Sequence, residues 1–349
     1  MAYTTINDPS ANFQTALWTG NNTTQAITND GNSNLQPDLV WLKMRSAEAS
    51  QNHRWIDSTR GVTKNLSSNN NNAEATEATG LTAFNSDGFT LGGAGGYNGN
   101  GRTYVGWQWK ANGGTTASNS DGSITSTVQA NTTAGFSVVT YSGDGNGNFT
   151  VGHGLNSALD FITVKRLDGT SNWYTWHKDL TSGAYVFYLN AENGQANEAT
   201  IWNSTAPTSS VFTIGTDGNI KTTGNYVAYC FHSVQGYSKF GKYKGNGNND
   251  GPFIYTGFKP AYVMIKNLSN TSQWPIIDAA RDPVNVTDAR LRANTNAAEA
   301  TETFFDFLSN GFKVRATGTD KNDSGNNYIY MAFAENPLVA SNNVIALAR

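Results

Sequence analysis

Six short blocks recur three times along the chain, in one order and nearly one register, and this limits its folding more than any other feature. An aromatic stretch ending in Gly opens each copy: FQTALWTG (13–20), FSVVTYSG (136–143) and FGKYKG (240–245). An apolar run ending in Lys follows: PDLVWLK (37–43), LDFITVK (159–165) and PAYVMIK (260–266). Next come the Trp-containing segments RWIDSTRG (54–61), NWYTWHKDL (172–180) and QWPIIDAARD (273–282). A Glu-Ala-Thr tripeptide stands at Glu74–Thr76, Glu198–Thr200 and Glu299–Thr301. Hairpin arms FNSDGFTLG (84–92), SSVFTIG (209–215) and FLSNGFKVR (307–315) lead to closing strands YVGWQW (104–109), YVAYCF (226–231) and YIYMAF (328–333). Lys43 to Lys165 and Tyr104 to Tyr226 both span 122 residues, while Lys165 to Lys266 spans 101 and Tyr226 to Tyr328 spans 102. Chance similarity does not hold register across separate blocks, so the chain is a threefold repeat.

Each repeat reads as strands. The apolar runs are short, β-branched and aromatic, and two open on Pro, which suits a strand start. Asp87-Gly88 and Asn310-Gly311 are hairpin signals. These patterns predict an all-β chain of three tandem antiparallel β-sandwich modules of the jelly-roll or lectin-like type, each of about 100 residues. The first module takes residues 1–111, the second 135–237, and the third 238–349 with a C-terminal arm. Residues 112–134, rich in Gly, Ser, Thr and Asn, form a linker or an added strand. Glu74, Glu198 and Glu299 mark one repeated place, expected to be a short helical turn capped by Asn, and Lys43, Lys165 and Lys266 mark another.

Composition narrows the function. Charged residues are 14 % and the net charge is −3, with no basic run, which argues against nucleic acid as a partner. Cys230 is the single cysteine, so neither an intrachain disulfide nor a cysteine zinc site can form. The start MAYTTINDPS lacks the charged and apolar regions of a secretory signal, and no stretch approaches the roughly 18 apolar residues of a membrane span. The expectation is a soluble protein without membrane insertion.

No catalytic constellation stands out. His53, His153, His177 and His232 do not recur in register, and no strand alternates carboxylates as a sandwich glycosidase does. The Gly-rich stretch 92–101 lacks the Lys-Ser/Thr of a phosphate loop, so no cofactor is expected. Oxygen-rich loops at 142–149 and 318–327 leave calcium open, without matching an EF-hand. Trp173, Tyr174, Trp176 and His177 form the densest aromatic stretch, a candidate glycan or partner contact whose alternative is core packing. Asp57 with Arg60, and Asp278 with Arg281, read as buried structural pairs.

Taken in order, TALWTGNNTTQAITNDG (15–31), PDLVWLK, DSTRG, FNSDGFTLG and YVGWQWKANGG (104–114) resemble a module of marine bacteriophage virion proteins, such as those of phages of cyanobacteria. That resemblance implies a concanavalin A-like or jelly-roll fold, made in the host cytoplasm and exposed on the virion surface. It implies a non-enzymatic structural protein, a fibre or receptor-binding component contacting host surface glycans. A capsid or tail decoration protein is the alternative, and a β-sandwich glycan hydrolase the second. Other virion proteins are the implied partners, with a homo-oligomer, a trimer by the usual symmetry of fibres. Residues 1–12 and 337–349, the latter with the apolar run Val344–Leu347, are candidate docking arms.

Overall fold

A computed structural model of the chain describes residues 3–47 and 50–339. Its sheets pair antiparallel throughout, as the alternating strands require. The closing strand is the spine of each repeat. Thr103–Trp109 lies between Phe13–Thr19 and Leu39–Met44, and Asn225–Phe231 lies between Phe136–Ser142 and Phe161–Arg166. Asn327–Pro337 lies between Ser238–Lys244 and Phe258–Asn267. All three are buried on both faces over most of their length, which is why their sequences run apolar rather than alternating.

Around these spines the repeats differ in extent. Arg54–Asp57 completes a four-stranded sheet in the first repeat, while the second and third build eight-stranded sheets. The segment between the first two repeats supplies Ala117–Asn119 and Ser126–Asn131, which extend the second sheet at its edge. In the third repeat the sheet is barrel-like and nearly closed: Ala300–Leu308 and Gly311–Val314 lie across Phe258–Asn267 and enclose Phe305, Phe307 and Phe312. The predicted Asp87-Gly88 turn forms, with Gly88 at φ +92° and its α-carbon so close to the Ile27 carbonyl that a Cβ would stand 1.9 Å from that oxygen.

The three repeats pack on one another. One hydrophobic cluster takes residues from all three, with smaller clusters private to the first and third. Its centre is a triangle of equivalent residues, the last aromatics of the closing strands. Ring centroids of Trp109 and Phe231 lie 6.3 Å apart, Phe231 and Phe333 6.0 Å, and Trp109 and Phe333 5.6 Å. Each repeat also stacks its opening-strand aromatic on its closing-strand tyrosine: Trp18 on Tyr104 at 5.4 Å, Tyr141 on Tyr226 at 5.3 Å and Tyr243 on Tyr328 at 5.0 Å. The interplanar angles are 8°, 12° and 10°, so one packing solution is used three times.

Equivalent bonds close the ring. The Glu74 amide donates to the Leu167 carbonyl at 2.8 Å, Gln195 to Leu268 at 2.8 Å, and Glu299 to Arg45 at 2.9 Å. Each bond joins a repeat to the next, and the third returns to the first. A ring N–H repeats the pattern in the opposite sense. Trp173 Nε1 donates to Ser67 O at 2.9 Å, Trp274 Nε1 to Ala191 O at 3.2 Å, and His53 Nε2 lies 2.9 Å from Arg292 O. His53 Nδ1 accepts from Trp41 Nε1, which can only donate, so His53 carries its proton on Nε2 and donates like the two tryptophans. Residues 3 and 4 fold back on the second junction: Tyr3 Oη donates to Gly257 O of the third repeat and Thr4 Oγ1 to Gln235 O of the second, both at 2.7 Å. These residues therefore sit within the body rather than projecting as an arm. Of the candidate arm at 337–349, residues 340–349, with Val344–Leu347, lie outside the described residues.

Two expectations about Glu-Ala-Thr are corrected. In the first and third repeats the segment is strand, not helical turn: Ala75–Thr76 pairs with Lys64–Asn65, and Ala300–Thr301 with Ala289–Arg290. In the second the paired residues are Ala196–Asn197, with Tyr185–Val186, and Glu198–Thr200 enters a turn in which the Ile201 amide donates to the Glu198 carbonyl at 3.0 Å. That register makes Gln195, not Glu198, the partner of Glu74 and Glu299. Glu198 stands three residues on, where Glu77 and Glu302 stand in the other repeats.

Candidate ligand-binding cleft

The aromatic stretch singled out in the sequence is not a surface. Trp173, Tyr174, Trp176 and His177 are at most 5 % exposed, and Trp173 is spent on the bond to Ser67 across the first junction. The strand Tyr174–His177 is buried along its whole length, and on the His177 side the third repeat covers it, with His177 Nε2 lying 3.4 Å from Tyr330 O. Burial pushes the His177 imidazole down to about 3, so it is neutral near pH 7.

The three repeated lysines are also internal. Lys165 Nζ donates to Ser171 O in its own repeat and to Asn71 O in the first, at 2.8 and 3.1 Å. Lys266 Nζ donates to Ser272 O and, across the junction, to Glu192 O, at 2.5 and 2.6 Å. Lys43 Nζ donates to Met44 O at 2.8 Å. Burial lowers Lys43 and Lys165 to about 8 and Lys266 to about 7. Two of these side chains therefore clamp a loop of the preceding repeat.

Glu74 and Glu299 belong to buried ion networks. Arg60 bonds Asp57 Oδ2 at 2.5 Å and Glu74 Oε2 at 2.8 Å, while Tyr229 of the second repeat donates to the same Asp57 oxygen at 2.7 Å. At the third junction Arg281 bonds Asp278 at 2.5 Å and Glu299 at 2.9 Å, and Trp107 Nε1 of the first repeat donates to Asp278 Oδ2 at 2.9 Å. Arg45 pairs with the other Glu299 oxygen at 2.8 Å. The second repeat replaces the whole set: His177, Leu180 and Gln195 stand where Asp57, Arg60 and Glu74 do, and Met331 stands where Trp107 and Tyr229 do. A carboxylate is kept where its neighbour can donate, and lost where that neighbour is Met.

An open cleft of about 630 Å³ lies over the first junction. One wall is Arg60 and Glu74 of the first repeat, and the other is Leu167, Asp168 and Asn225 of the second. The floor is a row of hydroxyl-bearing residues, Thr125, Thr127, Thr140 and Ser142, the last three on neighbouring strands of the second sheet. Thr127 and Thr140 are directly paired across strands, so their hydroxyls stand side by side. Among the described residues the hydroxyls of Thr125, Thr127 and Thr140 make no hydrogen bond within the protein, whereas Ser142 donates to Asn225 at 2.8 Å. Partial burial opposes ionisation of Asp168, but the Arg166 guanidinium at 2.6 Å and the Asn225 amide hold its carboxyl below the usual range. Both carboxylates of the cleft are thus paired with arginine, an arrangement that suits accepting hydrogen bonds better than donating protons.

The sequence flagged Glu74 but not the cleft. Its floor needs Ser126–Asn131 as a strand, an option the sequence reading held open without attaching a site to it. No group of three or more His, Cys, Asp or Glu side chains among the described residues is placed to hold a metal ion. No helix among them is long and apolar enough to cross a membrane. No curated protein and no solved structure matches the chain. Residues 8–337 match the family described as a domain of unknown function (DUF7483), and with nearly its whole length covered the chain belongs to that family.

Proposed function

We propose that the chain is a non-enzymatic structural protein exposed on a bacteriophage particle, and that its first-junction cleft receives a glycan of the host surface. The observation that carries the reading is the floor of threonine hydroxyls without protein partners, bounded by two arginine-paired carboxylates. A sugar offers many hydroxyls that both donate and accept. Unengaged threonine hydroxyls and ionised carboxylates are their complement in a site that places no charge demand on the ligand. The likeness of the sequence blocks to marine phage virion modules supplies the setting, and a jelly-roll ancestry of each repeat is part of the same proposal.

Binding of purified host surface polysaccharide to the whole protein tests this. Thr127→Val and Thr140→Val keep shape and remove hydroxyls. Each is expected to weaken binding by about two- to ten-fold, the worth of one neutral hydrogen bond. Retained binding in the double variant would overturn the cleft as the site. Labelled antibody on intact particles tests the setting: label at a tail tip supports attachment, label over the whole shell supports decoration, and no label on particles refutes both.

A further inference from the structure

Below each closing-strand end the ring repeats one more feature, and there the three junctions differ in chemistry. Register makes Ser58, Lys178 and Ala279 equivalent, each amide donating to the carbonyl of Asp38, Asp160 or Ala261 at 2.9, 2.9 and 2.8 Å. It likewise makes Gln14, Ser137 and Lys239 equivalent on the opening strands. At the first junction the inserted segment occupies this region: Gln129 Nε2 donates to Ser58 and Thr59 hydroxyls, and the Gly113 and Gly114 amides donate to Asp38. At the third junction Ala261, Ala279 and Ala334 with Gln14 line a space of about 190 Å³. At the second junction the space is open, about 340 Å³, and both equivalent positions carry lysine. Serine, alanine or glutamine serves at these places elsewhere in the ring, so the fold does not require a lysine at either.

The charges in this pocket do not cancel. Lys178 Nζ lies 3.1 Å from Asp160 Oδ1, the carboxylate that also accepts the Ser233 amide. Lys239 Nζ donates to the Tyr255 carbonyl at 2.8 Å and lies 5.2 Å from the centre of that ring. The nearby Asp179 faces Lys242 at 3.6 Å and His177 at 3.9 Å. Two ammonium groups thus share the pocket with one carboxylate, and Lys239 keeps N–H donors beyond the one it spends on Tyr255. Burial and the Lys178 charge together lower the Lys239 ammonium from its ordinary value, as expected for a cation lacking a full counter-charge. The Ser233 hydroxyl oxygen accepts from the Phe240 amide, which leaves its O–H directed elsewhere.

We propose that this second-junction pocket binds an oxyanion, a sulfate or phosphate group, between the Lys178 and Lys239 ammonium groups. The site is separate from the threonine-floored cleft and stands or falls without it. Titration calorimetry of the whole chain with inorganic sulfate and with inorganic phosphate tests the pocket. A sulfated and a phosphorylated monosaccharide then distinguish which ester it takes. Lys178→Ala and Lys239→Gln install residues that the ring already accommodates at equivalent places, so both variants are expected to fold. Each is expected to weaken anion binding about ten-fold, the scale of one charge-assisted hydrogen bond, while Lys244→Ala at the far end of the same strand leaves it unchanged. Sulfate raises the melting temperature of most proteins by exclusion, so a melting experiment is read only as the difference between wild type and variant. Absence of binding by either anion, or an equal loss in Lys244→Ala, would overturn the proposal.

Discussion

At the scale of single residues, the ring shows what a buried charge needs. Asp57 and Asp278 keep their arginines because Tyr229 and Trp107 reach across the junction to donate to them, and Arg60 and Arg281 are no more than 3 % exposed in their side chains. Removing one partner strands the other, so Arg281→Ala is expected to cost about 3–5 kcal/mol in chemical unfolding. Asp278→His with Arg281→Leu, the pair that the second repeat carries, is expected to cost less than the sum of the single changes. An additive result would mean that the two side chains are not coupled. Titration gives a second check. His153 and His177 are pushed down by burial to about 4 and about 3 from an ordinary 6.5, so the unfolded chain binds more protons and stability falls as pH drops below 6.5. Lys43, Lys165 and Lys266, at about 8, 8 and 7 against 10.5, have the same sign at higher pH. Stability is expected to rise from pH 7 toward 10, by up to about 1.4 kcal/mol per pH unit for each lysine within its window. A flat denaturation midpoint between pH 7 and 9.5 would show that these ammonium groups are not desolvated.

At the scale of elements, the Glu-Ala-Thr segment shows how far a repeated motif can be trusted. Its recurrence located a real structural position, but the copy in the second repeat is displaced by three residues, and Gln195 takes the junction place. The letters alone conceal this, because AEATEAT in the first repeat offers two overlapping choices. Only the strand register decides between them. The reason for Gln195 is local: Leu180 replaces the arginine that would neutralise a glutamate there. Gln195 Nε2 also donates to the Thr181 hydroxyl at 2.8 Å, a bond that Gln195→Glu removes at a partly exposed position. That change is expected to destabilise by roughly 0.5–1.5 kcal/mol, and Leu180→Arg in the same chain to recover part of that loss. Equal stability of Gln195→Glu and the parent would contradict the assigned register. The strands themselves were legible from apolar runs and turn residues, since both signals are local. The cleft floor was not, because it depends on which strand becomes the edge neighbour of Phe136–Ser142.

At the scale of the whole molecule, the threefold repeat was plain in the sequence and its closure was not. Trp109 and Trp173 have a reason once three repeats share one centre: Trp109 meets Phe231 and Phe333 there, and Trp173 crosses to the first repeat. A shared centre makes cooperation the central claim, because removing one repeat exposes the aromatic faces of the other two. Scanning calorimetry of the full chain tests it most directly. One transition is expected, whose calorimetric and van't Hoff enthalpies agree, of roughly 240 kcal/mol at ordinary per-residue values. Two or three separable transitions, each with the enthalpy of about 100 residues, would show independent modules and contradict it.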